Sequence, residues 1–159
     1  MTHKRIAGMA ALLVLLAFPV SASMVSFLLV ETGLGEEAPN TQYSSLWEGG
    51  LMAAFFDAGH IVTNSPIARM AVKPDHDFAS YIEDDFNEAA DGGAEYFILG
   101  FLDYQNQGMV PAGITLKLYT IDSQVLIFEE YFPAGRGNLS EELQLARNAG
   151  LTIISQIRD

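Results

Sequence analysis

The sequence predicts an α/β (α+β) domain of order β-α-β-α-β-β-β-α, folded as a mixed five-stranded sheet with helices on both faces. Three observations predict it. A strand-length apolar run, Met24–Val30, is followed by two amphipathic segments with a short β-forming stretch between them. Three β-rich runs then follow one another with only turn residues between them. A long amphipathic segment near the end supplies the last helix.

Met24–Val30 reads as a central strand buried on both faces, ended by Glu31, Thr32 and Gly33. Residues 33–42 carry loop residues without periodicity. Ser44 or Ser45 is placed to cap a helix reaching about Ala58, with Trp47, Leu51, Ala54, Phe55 and Ala58 on one side and Gly59 as its stop. Gly49 and Gly50 inside that helix are expected to serve close packing on the sheet. Ile61-Val62-Thr63 is the second strand, and Phe78 to about Ala90 the second helix, with Phe78, Ile82, Phe86 and Ala89 inward, Tyr81 beside them, and Gly92 and Gly93 beyond its end.

Residues 95–104, 114–121 and 124–132 form an antiparallel meander. In its middle strand Ile114, Leu116, Leu118 and Thr120 share one face. Asn138 caps the last helix, with Glu141 three residues on as in a capping box and a stripe of Leu139, Leu143, Ala146, Gly150, Ile153, Ile154 and Ile157. If the second and third strands flank the first, the sheet order is 2-1-3-4-5 and the first two helices fall on opposite faces.

The chain has 159 residues and no cysteine. His3, Lys4 and Arg5 precede an apolar run to Val20, and Ser21, Ala22 and Ser23 are small. That is the pattern of a secretory signal over residues 1–22, leaving 23–159 as one domain. Left uncut, the leader would instead be a membrane anchor. Without cysteine neither a disulfide nor a thiol-linked lipid is available. The formal charge is −12, and −14 once Lys4 and Arg5 leave with the leader. Such a balance argues against nucleic acid and anionic membranes as partners.

The order of elements resembles a group of cell-envelope domains. So does the passage from Phe27-Leu28-Leu29-Val30 through a loop and an amphipathic helix to Ala58-Gly59-His60-Ile61-Val62. The group includes the N-terminal domain of the Tol-system propeller protein, the core of the curli-secretion lipoprotein and the periplasmic domain of the lipoprotein that activates penicillin-binding proteins. The resemblance implies an anticodon-binding-like, TolB-N-like fold. It also implies a periplasmic, non-enzymatic accessory or scaffolding role in binding another envelope protein.

The residues that carry chemistry are few. Asp75-His76-Asp77 suit the start of a helix better than a metal, since zinc recruits three or four converging ligands. His60 lies three residues from Asp57, but a position at a helix C-terminus already accounts for it. Glu31 and Thr32 after the first strand and Asp103 at the end of the third flank the switch point of a 2-1-3 sheet, where open α/β folds collect ligands. They form the candidate crevice for a small ligand or cation, the alternative to protein binding. Glu83, Asp84, Asp85, Glu88 and Asp91 give the second helix an acidic face suited to a basic partner. Residues 124–132 form an outer strand whose free edge would allow self-assembly, with Glu129 and Glu130 as guards. No phosphate-binding glycine loop, GxSxG motif or thiol nucleophile is present. No catalytic residue, cofactor or metal is therefore expected.

Overall fold

The structure is a computed structural model describing residues 22–34, 42–70, 82–104, 109–135 and 137–157. The expected leader, the Asp75-His76-Asp77 trio, Phe78 and Tyr81 lie outside the described residues.

The apolar run at the start forms β1 (Met24–Thr32), with every residue after Met24 buried. It is followed by α1 (Gln42–Asp57), β2 (Ile61–Asn64), β3 (Ala68–Met70), α2 (Glu83–Asp91), β4 (Tyr96–Asp103), β5 (Gly113–Thr120), β6 (Leu126–Pro133) and α3 (Leu139–Ile154). The sheet runs β2-β1-β4-β5-β6, which is the expected 2-1-3-4-5 path. It has one strand more than expected. After β2 leaves the edge, β3 returns to the second half of β1 and pairs Val30, Glu31 and Thr32 with Ala68, Arg69 and Met70. β1, β2, β3 and β4 are mutually parallel where they pair, while β4, β5 and β6 form the antiparallel meander.

Strand alternation sorts the core into two layers. Val25, Phe27 and Leu29 of β1, Ile98 and Leu102 of β4 and Ile114, Leu116 and Leu118 of β5 pack with Trp47, Leu51 and Phe55 of α1 and Ala146, Ala149 and Ile153 of α3. Leu28 and Val30 of β1 and Phe97, Leu99 and Phe101 of β4 pack with Ile82, Phe86 and Ala89 of α2. The first two helices thus cover opposite faces, and α3 joins α1.

Two expectations about the helices need correction. Gly50 packs on α3 rather than on the sheet: a Cβ there would lie 2.6 Å from Ala146 Cβ, and one on Gly150 would lie 2.8 Å from Ala54 Cβ. Close approach of the two helices is what excludes side chains at these points. Gly49 has open space around it. The buried stripe of α3 is Glu142, Ala146, Ala149, Gly150 and Ile153, while Leu139 and Leu143 are exposed. Small residues, rather than the leucines, face the seam because the helices sit so close. Asn138 caps α3 as expected, accepting from the backbone N–H of Ser140 and Glu141. Gly59, with φ of +90°, turns the chain out of α1 and into β2.

Candidate functional site at the ends of the central strands

The carboxyl ends of β1 and β4, the start of α1 and the short β3 meet at one corner of the sheet. Glu31 lies there on the α1 face, 4% exposed. Its Oε2 accepts from Arg69 Nε at 2.8 Å and Nη2 at 2.7 Å. Its Oε1 accepts from Ser44 Oγ. Ser44 has spent its one proton on Glu31, so the Tyr104 phenol donates to Ser44 Oγ, 2.8 Å away. Ser44 is therefore no exposed cap; the helix starts before it, and its hydroxyl is buried in this network. Parallel pairing of Glu31 with Arg69 in neighbouring strands sets the two side chains beside each other on one face.

Thr32 and Asp103 are paired across β1 and β4, and Glu31 is paired with Leu102. Because successive strand residues alternate faces, Thr32 and Asp103 share the α2 face and Glu31 the other. The two carboxylates of the expected crevice are thus separated by the sheet. The Thr32 hydroxyl donates to the Leu102 carbonyl. A carboxylate held on both oxygens, one of them by a guanidinium, is suited to fastening β3 and α1 to β1.

A second buried carboxylate escaped sequence reasoning. Glu142, in the first turn of α3, is fully buried, and its Oε2 accepts from Trp47 Nε1 at 2.9 Å. Oε1 lies against the Gly135 backbone without a hydrogen bond of ordinary geometry. Burial pushes this carboxyl above the ordinary glutamate range. The Trp47 and Gly135 contacts pull it down in part, and the neighbouring Glu141 charge adds to the rise. An acidic residue in a first turn normally faces water, so nothing in the sequence marks this one as buried.

His60 and Asp57 do not pair. Asp57 binds Arg147 of α3 at 2.6 Å, and His60 is buried beside the Phe55 ring with its Nδ1 unbonded. On α2, Glu83, Asp84, Glu88 and Asp91 are exposed and Asp85 half-buried, a solvated acidic face. Among the described residues no group of three or more His, Asp or Glu converges as metal ligands.

The outer strand β6 presents the other candidate surface. Val125, Leu126, Ile127 and Tyr131 are exposed, Val125 and Tyr131 each by 51%. Glu129 meets Lys117 of β5 at 3.2 Å, whereas Glu130 stands opposite Leu116 on the other face. The backbone N–H of Ala134 bonds the Ala112 carbonyl. By alternation Phe132, Glu130 and Phe128 then turn their backbone groups to β5, and Tyr131 and Glu129 turn theirs outward. Pro133 ends the strand where an outward N–H would otherwise lie.

No protein-family model matches the chain, and no curated protein matches its sequence. Solved structures do. It is similar to the PelC dodecamer from Paraburkholderia phytofirmans, with 14% identity and a TM-score of 0.49 over 87% of this chain and 90% of that one. It is similar to TolB from Acinetobacter baumannii, with 14% identity and a TM-score of 0.39 over 86% of this chain and 27% of that one. It is also similar to lipoprotein GNA1162 from Neisseria meningitidis, with 12% identity and a TM-score of 0.44 over 84% of this chain and 96% of that one.

Proposed function

We propose that the protein is a non-enzymatic accessory or scaffolding domain, exported to the periplasm, that binds another cell-envelope protein. The open edge of β6 carries this reading. A row of backbone donors and acceptors that no described strand pairs, beside exposed Val125, Leu126, Ile127 and Tyr131, is a surface that proteins ordinarily cover or blunt. The acidic side chains Glu83, Asp84 and Glu88 on α2 and Glu129 and Glu130 on β6 favour a partner of basic character. The leader-like start and the absence of cysteine suit export as a cysteine-free domain. No helix among the described residues is long and apolar enough to cross a membrane.

In-cell cross-linking of the full-length protein tests the reading. Recovery of a discrete envelope protein, lost when the β6 side chains are changed, is the expected result. Repeated recovery of the protein alone overturns it.

The alternative is a small ligand or cation held by Glu31, Thr32 and Asp103. It has less support, because Glu31 is engaged on both oxygens and Asp103 lies across the sheet from it. Under that alternative, Asp103→Ala abolishes a binding activity in a folded protein; under the proposed reading it leaves envelope-protein binding unchanged.

A further inference from the structure

We propose that the β6 edge takes up an extended strand from its partner, and that the partner places a lysine or arginine opposite Glu130. This inference rests on the protein-binding reading above and gives it a site and a chemistry.

Backbone geometry supplies the first argument. The outward N–H and C=O groups of Glu129 and Tyr131 provide the bonds for an added strand, and Pro133 closes the row. Charge supplies the second. On one face, Glu129 is already met from the inner side by Lys117. On the other, Glu130 lies between Phe128 and Phe132 along β6 and opposite Leu116 on β5. No cation reaches it among the described residues. Its cross-strand neighbour on the inner side is apolar, so a cross-strand counter-ion has to come from a strand added outside. Opposite charges directly across a strand pair stabilise it, and like charges destabilise it.

A second copy of this chain meets that requirement poorly. Antiparallel pairing of two β6 edges through Glu129 and Tyr131 places the two-fold at Glu129, Glu130 or Tyr131. Glu130 then faces Phe128, its own counterpart or Phe132, and none of these is a cation. Each register also brings together two chains of charge −12.

The test uses two synthetic capped peptides, one alternating valine with lysine and one alternating valine with glutamate, added to the full chain at near-physiological salt. Fluorescence anisotropy reads affinity, and amide exchange reads the site. The Val-Lys peptide is expected to protect the amides of Glu129 and Tyr131, and the Val-Glu peptide to leave them exchanging. Glu129→Pro removes an outward donor while giving up only a surface ion pair, and should weaken Val-Lys binding about tenfold. Glu130→Lys, which needs no backbone change, should weaken Val-Lys by up to about fivefold and strengthen Val-Glu to a similar degree.

Equal binding of both peptides, protection elsewhere on the chain, or indifference to both substitutions overturns the proposal. So does concentration-dependent self-association that protects the same amides, which would assign the edge to a second copy. Cross-linking in the envelope separates this inference from the reading beneath it. The same partner captured by wild type and by Glu129→Pro removes the edge strand and leaves the accessory role standing. Capture of no partner by either protein removes the accessory role itself, whatever the peptides do.

Discussion

Glu31 and Glu142 are both buried carboxylates on the α1 side of the sheet, but the protein treats them in opposite ways. Glu31 is met by a guanidinium and a hydroxyl, with a phenol behind the hydroxyl. Glu142 accepts one indole N–H, and among the described residues no cation reaches it. A compensated carboxylate anchors its neighbours in the charged state. An uncompensated one in the same layer costs stability whenever it is charged. The corner around Glu31 is therefore a fastening, and the seam around Glu142 is a place where stability depends on protonation.

Removing the cation from the first site should have the largest effect. Arg69→Met leaves Glu31 buried without its counter-charge and should cost about 3 kcal/mol in urea unfolding. A loss no larger than that of an ordinary surface substitution would mean that the two sites do not differ as described. Next, Trp47→Phe withdraws the indole donor from Glu142 Oε2 and should cost about 2 kcal/mol, read in the same way. A neutral result would place the weight of that seam on packing alone. Ser44→Ala should be milder, about 1 kcal/mol, because Arg69 remains on Glu31; the exchange rate of the Glu31 and Arg69 amides would locate the loosening.

Glu142→Gln gives the subtlest result, and it depends on pH. In the folded protein Glu142 holds its proton more tightly than in the unfolded chain, where the group titrates at about 4.3. The stability linked to it is therefore complete below that range and is lost as pH rises through the raised folded value. Gln carries no charge and escapes the loss. The Tm of Glu142→Gln should gain on wild type as pH is raised from acid to neutral. A constant or shrinking gap would show that the carboxylate is better compensated than its surroundings suggest.

Much of this was written in the sequence, and the exceptions have particular causes. The continuous apolar run of β1 and the alternation of β5 led directly to the strand order, since both periods follow from which faces are buried. β3 was invisible because Ala68, Arg69 and Met70 are three half-buried residues with no period to read. Without β3 there was no reason to look for a cation beside Glu31, so Arg69 was missed with it. The pairing of Glu31 with Asp103 failed on parity: both lie at the right end of the sheet, but on strand positions that face opposite ways. Leu139 and Leu143 suggested one stripe on α3. The seam selected its neighbour instead, because only residues as small as Ala146 and Gly150 allow α1 to come so near. Glu142 entered the core with that rotation, brought to a tryptophan ninety-five residues away.

The chain has a single tryptophan, and it is the residue bonded to Glu142. Its ultraviolet emission therefore arises from one known point, the junction of α1 with α3. An unlabelled sample in a fluorimeter can thus report the closing of the chain's two halves and the gain or loss of one buried proton.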